Sequence, residues 1–304
     1  MNELLRLQEF CNGIGCTCIA GELMSAHTSF KIGGPADLFI RPRDGDAAAL
    51  VIREIKNLHL PMVIIGKGSD LLVSDDGIRG VVLALDEQTS SPELLSETMI
   101  RCSAGTSIAE LCAFALDHSL TGLEFAWGIP GSVGGAVYMN AGAYYGEMKD
   151  VVASAEYLDS EGNTGTLQAA QLTFSYRHSW FTDHHDCLIT SAVFCLQKGD
   201  RKAIRARMEE LMAARKSKQP LEYPSAGSTF KRPAGSYASA LIDQCGLKGR
   251  RVGGAMVSEK HAGFVINYEN ATCRDVLDLI EVVKHEVSEK TGFMLECEIK
   301  LLGF

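Results

Sequence analysis

Residues 122–148 read GLEFAWGIPGSVGGAVYMNAGAYYGEM, and how this stretch folds decides the rest. Seven of the 26 residues from Thr121 to Gly146 are glycine. Without a Cβ, a backbone can turn its N–H groups outward and approach a ligand closely. From Ser132 onward the stretch reads as a turn opening a helix, which would offer unpaired N–H groups and a partial positive charge to phosphate. A second cluster, Gly66-Lys67-Gly68-Ser69-Asp70-Leu71-Leu72, directly follows the apolar run PMVIIG at 61–66. Loops that only connect rarely concentrate this much glycine. Neither cluster is a G-x-x-x-x-G-K-[ST] loop or a G-x-G-x-x-G turn, so a Walker-type ATPase and a plain Rossmann domain are both disfavoured.

Outward from these turns the chain alternates helix and strand. Residues 46–58 (DAAALVIREIKNL) predict a helix, followed by a buried strand at 61–66 and strands near Leu71–Val73 and Val81–Leu85. Helix, strand, glycine turn is α/β grammar. A helix is expected over 107–118, with Ser107 as N-cap and Glu110 completing a capping box. VVASAEYLD and TGTL form a hairpin around Ser160–Asn163, and residues 187–196 (CLITSAVFCL) form a strand. Residues 200–218 are a charged helix stopped by Pro220 and Pro224, the best domain boundary in the chain. Beyond it come helices at 238–244 and 273–290, a strand at 264–267, and LECEIKLL (295–302), whose strict alternation predicts a half-buried strand.

Composition narrows the function. The net charge is −9 with 38 acids against 29 bases, which argues against nucleic acid and anionic membrane surfaces. A small anionic substrate held by a few converging Arg and Lys remains compatible with it. Thirty glycines and only eight prolines without a Gly-X-Y period exclude fibrous and linker classes. The opening MNELLRLQEF has no continuous apolar core, and the longest apolar run, Ala47–Ile52, is far too short to span a bilayer. A cytoplasmic protein is expected, with no membrane partner and a monomeric state. The ten cysteines include no C-x-x-C pair, and those in apolar segments, such as Cys112 and Cys195, are expected to be small buried hydrophobes. Neither Cys11/Cys16/Cys18 nor His184-His185-Asp186-Cys187 has metal-ligand spacing, so no metal site is expected.

Several blocks together resemble a known family. HTSFKIGGPADLFIRP (27–42), IIGKGSDLLVSDDGIRGVVL (64–83) and the 122–148 stretch resemble the FAD-binding domain of the UDP-N-acetylenolpyruvoylglucosamine reductases. FSYRHS (174–179), AGSTFKRP (226–233), AGFVINYENAT (262–272) and LECEIKLLG (295–303) resemble the remaining family blocks, in order. The resemblance implies an α+β protein. Residues 1–199 would be an FAD-binding domain of the vanillyl-alcohol-oxidase/PCMH type, with two α+β subdomains at about 20–85 and 86–199. Residues 200–304 would be an α+β substrate-binding domain.

The resemblance also implies non-covalent FAD, NADPH as co-substrate, and reduction of the enolpyruvyl group of a UDP-sugar in peptidoglycan precursor synthesis. The cofactor-binding residues would be Gly66, Gly68, Ser69, Asp70, Leu71, Gly128, Pro130, Gly131, Ser132, Gly135, Ala136, Asn140 and Gly142. Among the matching positions, Arg177 would hold the substrate carboxylate, Ser228 would donate the proton, and Glu296 would stabilise the enolate. Spacing alone does not separate Glu296 from Glu298, since both fall on one face of a strand. Tyr176, Lys218 and Lys231 are further substrate-site candidates. Asp70 stands where the family more often has Asn. Arg177 and Ser228 are only 51 positions apart (228 − 177), which matches the short form lacking an inserted tyrosine loop. Two other classes fit the glycine turns: an oxidase tethering its flavin through Cys102 or His118, and a nucleotide-sugar binding protein without a redox cofactor.

Overall fold

The structure, a computed structural model, describes residues 3–85 and 91–304. The chain forms two compact units, neither continuous in sequence. The first holds the described residues of Met1–Ala20, Leu38–Lys67 and Gly80–Arg215; the second holds Gly21–Asp37, Gly68–Arg79 and Lys216–Phe304. The division expected at 199/200 is therefore displaced, and packing explains why. The Arg201–Lys218 helix buries Ile204, Met208, Leu211 and Arg215 at a helical spacing, and Ile204 and Met208 join the core of the first unit. Phe30, Ile32 and Leu72, from two early segments, join the core of the second. The subdomain boundary predicted at 85/86 adjoins residues 86–90, which lie outside the described residues.

Among the described residues the first unit contains two larger sheets and two short two-stranded pairs. In one, the strand order is Thr17–Ala20, Ala36–Arg41, Ile78–Ala84, Met62–Ile65; the first pair is antiparallel and the last parallel. The Glu3–Gly13 and Gly45–Asn57 helices supply Leu7, Cys11, Val51 and Ile52 to the core of this sheet. Asp44 caps the second of these helices, its carboxylate accepting the Ala47 N–H at 2.7 Å. The other sheet is antiparallel, with Thr164–Gln168, Val152–Leu158, Leu188–Cys195, Met99–Ser103 and Glu93–Leu94 in that order. The predicted 158–164 hairpin is its edge. The Ile108–Asp117 and Val133–Tyr138 helices share a core with it. Cys195 corrects the sequence expectation: it is exposed, because it alternates with the fully buried Phe194 along the strand.

In the second unit, Arg251–Val252, Ala255–Val257 and Val265–Asn267 form an antiparallel sheet covered by the Cys273–Thr291 helix. That helix buries Val276, Leu279, Ile280, Val283 and Val287, a clean 3.6-residue stripe. Its N-terminus is capped twice. Thr272 and Asp275 form a capping box, and the Asp75 carboxylate accepts the Cys273 and Arg274 N–H groups at 2.8 and 3.1 Å. The inserted 21–37 segment is tied in by Ser29 Oγ donating to the Ser225 carbonyl (2.6 Å) and Asn267 Nδ2 donating to the Phe30 carbonyl (3.1 Å).

LECEIKLL does not form one strand. Cys297 makes an isolated bridge with Phe230, the backbone bends at Ile299, and only Lys300–Leu302 is strand, parallel to Leu71–Val73. The alternation therefore breaks where the segment changes pairing partner, from 229–231 to 71–73.

Candidate active site

The glycine clusters of the first unit converge. After the Met62–Ile65 strand the chain turns at Gly66, where a Cβ would run into Ser132 Oγ. A side chain at 66 would thus push the strand-end turn away from the Gly128–Ser132 loop. Ser132 in turn pairs with Ser107 as an antiparallel bridge, and the Ile108 N–H reaches the Gly131 carbonyl at 3.2 Å. Two helices thereby start side by side, Ile108–Asp117 and Val133–Tyr138. Gly134 lies so close to Ala104 that a Cβ there would stand 2.8 Å from the alanine methyl. This close-packed, glycine-walled pair of turns fits a phosphate-bearing cofactor, because little more than main chain and the Ser132 hydroxyl lies between strand end and helix start.

One expectation fails here. The amides opening the Val133–Tyr138 helix are not free for phosphate. Val133 donates to the Thr106 carbonyl (2.9 Å), Gly134 to the Ala104 carbonyl (2.8 Å), and Gly135 to Ser132 Oγ (3.3 Å). Ser132 and Gly135 act on each other, and Ala136 is buried in the core at 4% exposure. The other candidates of this cluster are Gly66 and the Gly128-Ile129-Pro130-Gly131 loop. That loop is backed by the Arg201–Lys218 helix, whose Met212 and Arg215 lie against Gly128. Arg215 is 7% exposed, and burial pulls its pKa down.

Asn140 and Gly142 also serve the protein itself. The Asn140 side chain donates to Glu147 Oε2 (2.8 Å) and the Ser175 carbonyl (2.9 Å), and accepts the Lys149 N–H (2.9 Å). Both its donors are committed. Gly142 pairs with Glu147 in a tight hairpin, where a Cβ would stand 2.7 Å from Glu147 Cγ. The Glu147 carboxyl is held below its ordinary value: burial works against this, but hydrogen bonds from Lys149 and Asn140 outweigh it. Arg177 sits at the tip of the Ser175–His178 turn at φ +53°, its guanidinium 5.2 Å from the centre of the exposed Tyr176 ring.

The remaining candidates belong to the second unit. Gly68 has φ +60° and packs against the His27 carbonyl. After Ser69, the Asp70 carbonyl accepts the Lys300 N–H at 2.8 Å, so Leu71 is committed to the parallel pairing with 300–302. Ser228 is exposed, on a segment pinned at its neighbour: the Thr229 N–H reaches the Gly263 carbonyl (2.8 Å) and Thr229 Oγ1 accepts the Val265 N–H (2.9 Å). This segment pairs with the glutamates, Lys231 N–H to the Glu296 carbonyl (2.8 Å) and Glu298 N–H to the Thr229 carbonyl (2.9 Å). The two carboxylates differ sharply. Glu296 is solvent-exposed and paired with Lys231 Nζ at 3.1 Å, whereas Glu298 is buried at 8% exposure. Lys231 is thereby engaged with Glu296, and Lys218 is exposed near the end of its helix.

The alternative anchors are poorly suited to a covalent flavin. Cys102 lies in a core strand at 1% exposure, where burial pushes its thiol up to about 12. The His118 ring bonds the Phe114 carbonyl at the end of its helix (2.8 Å). His184 is stacked on Trp180 at 3.6 Å, and no group of three or more potential metal ligands occurs among the described residues. No helix among them is long and apolar enough to cross a membrane.

Comparison with known proteins gives these sites their class. Residues 36–168 match the family model of the FAD binding domain, and the fold is that of an FAD-dependent oxidoreductase. Residues 219–302 match the model of the UDP-N-acetylenolpyruvoylglucosamine reductase C-terminal domain. A UDP-N-acetylenolpyruvoylglucosamine reductase of Lachnoclostridium phytofermentans is 50% identical over 309 aligned residues, covering 100% of this chain and 98% of that protein. One from Caldanaerobacter subterraneus is 49% identical, covering 93% and 92%. The crystal structure of UDP-N-acetylenolpyruvylglucosamine reductase from Thermus caldophilus superposes with a TM-score of 0.78 at 32% identity, covering 95% of this chain and 99% of that one. This chain belongs to the UDP-N-acetylenolpyruvoylglucosamine reductase family.

Proposed function

We propose that the protein reduces the enolpyruvyl double bond of UDP-N-acetylglucosamine-enolpyruvate to the lactyl ether of UDP-N-acetylmuramate, drawing its electrons from NADPH. The FAD, when bound, supplies hydride chemistry; Gly66 with the Gly128–Gly131 loop, and Gly68 to Asp70, are the backbone that would hold it. The protein's own tasks are to fix the acrylate, to stabilise charge on its carboxylate side, and to deliver one proton.

Arg177 suits the first task. Its planar guanidinium holds a carboxylate through two parallel hydrogen bonds and stays charged as enolate character builds. Ser228 suits proton delivery, since it is exposed and its neighbour Thr229 is pinned by hydrogen bonds to Gly263 and Val265. For the enolate the structure favours Glu298 over Glu296. The role needs a carboxyl shielded from water, where a hydrogen bond to developing charge is worth most, and Glu296 is exposed and occupied by Lys231. The observation that carries this reading is the backbone pairing of 229–231 with 296–298, which puts the Ser228 segment and a buried carboxylate in one patch. The test separates the half-reactions. Ser228→Ala is expected to leave flavin reduction by NADPH intact and to slow reoxidation by the enolpyruvyl sugar by a factor on the order of 10² or more. Equal slowing of both halves removes Ser228 from the proton-donor role.

A further inference from the structure

We propose that Asn140 is the positioning residue that fixes the Arg177 turn, an inference that rests on Arg177 holding the substrate carboxylate. Asn140 is fully buried and has φ +42°, a left-handed conformation that asparagine tolerates better than most residues. Its side chain joins three backbone stretches: the end of the Val133–Tyr138 helix, the 142–147 hairpin through Glu147 and Lys149, and the Ser175–His178 turn. Ser175 and Tyr176 are exposed, the Ser175 and His178 backbones bond each other, the His178 ring bonds the Asp183 carboxylate (3.0 Å), and Arg177 is held at φ +53°. A non-glycine residue stays in that region when its surroundings over-determine it. Asn140 Nδ2 reaches the Ser175 carbonyl at 2.9 Å, from a helix end packed in the core, and so sets the turn two residues before the guanidinium. A shift of about 1 Å at a group that orients substrate can cost on the order of 100-fold in rate.

Charge chemistry allows the tether to be cut while the bond between side chains 140 and 147 is kept, at the cost of the half-exposed Lys149–Glu147 ion pair. Asn140→Asp removes both donors and sets a carboxylate against Glu147, 2.8 Å away across the present hydrogen bond. Adding Glu147→Gln restores a donor between those two side chains, but residue 140 no longer donates to the Ser175 carbonyl, which keeps only its bond within the turn from the His178 N–H. In the intact flavoprotein, Asn140→Asp/Glu147→Gln is expected to recover the wild-type thermal midpoint, flavin content and rate of flavin reduction by NADPH. It should still lose about tenfold or more in kcat/KM for the enolpyruvyl sugar. In an Arg177→Ala background the same pair should add no more than about twofold, because the residue it serves is gone. Full recovery of kcat/KM with the thermal midpoint overturns the proposal. So does a full, additive loss in the Arg177→Ala background, which decides the matter even if the midpoint does not recover. Arg177→Ala alone tells the two failures apart. If it leaves turnover of the enolpyruvyl sugar unchanged, the carboxylate role of Arg177 fails first. If it lowers turnover and the paired variant does not, only the role of Asn140 is lost.

Discussion

Glu296 and Glu298 show what the sequence carries and what it withholds at the scale of single residues. Period-two alternation puts both on one face of a strand, so the pattern offers no choice between them. The choice comes from tertiary structure: the bend at Ile299 and the pairing with 229–231 leave Glu296 in solvent beside Lys231 and bury Glu298. Glu298→Gln is therefore expected to lower kcat on the enolpyruvyl sugar by about 100-fold, as loss of a transition-state hydrogen bond does. Glu296→Gln should cost no more than about threefold, as expected of an exposed ion pair. Steady-state kinetics on the two variants checks both. Asn140 was legible as part of a glycine-rich block but not in its role, because nothing local announces that its partners are Glu147, Lys149 and Ser175.

At the scale of elements, local signals were strong wherever a helix has its own caps. The helices beginning near 45, 108, 238 and 273 are found where the sequence pattern places them, and those at 45, 108 and 273 carry side-chain N-caps. Signals failed where an element depends on a distant partner, as in LECEIKLL, or where N–H groups are consumed by another segment, as at Val133 and Gly134. The Gly66 approach gives a specific expectation. Gly66→Ala drives a methyl into Ser132 Oγ, and the purified protein should retain less flavin than wild type by absorbance, while Gly13→Ala, with nothing within 4 Å, should retain all of it. The Cys273–Thr291 cap gives another. Hydrogen bonds from the Thr272 and Gly254 N–H groups hold the Asp275 carboxyl below its ordinary 3.8. A depressed pKa contributes stability that is present above the unfolded value and lost as pH falls through the folded one. Asp275→Asn should thus cost about 1 kcal/mol at neutral pH, and the gap to wild type in chemical denaturation should narrow below pH 3.8.

At the scale of the whole molecule, the sequence blocks identify a two-part flavoenzyme, but not how the parts are cut. Segments 21–37 and 68–79 belong with the C-terminal unit through Phe30, Ile32 and Leu72, and the helix after residue 200 belongs mainly with the first. Contiguous-domain reasoning misses both, since long-range packing, and not a linker, draws the boundary. The buried Cys102 and bonded His118 lead us to expect that denaturation releases the yellow chromophore from the chain, so that the filtrate and not the polypeptide carries the flavin spectrum. The proposed reaction is tested most directly by NADPH oxidation by the purified flavoprotein with and without the enolpyruvyl UDP-sugar. Oxidation that requires the sugar and consumes it one for one is the predicted result. Oxidation at the same rate without the sugar, or none with it, would contradict the account.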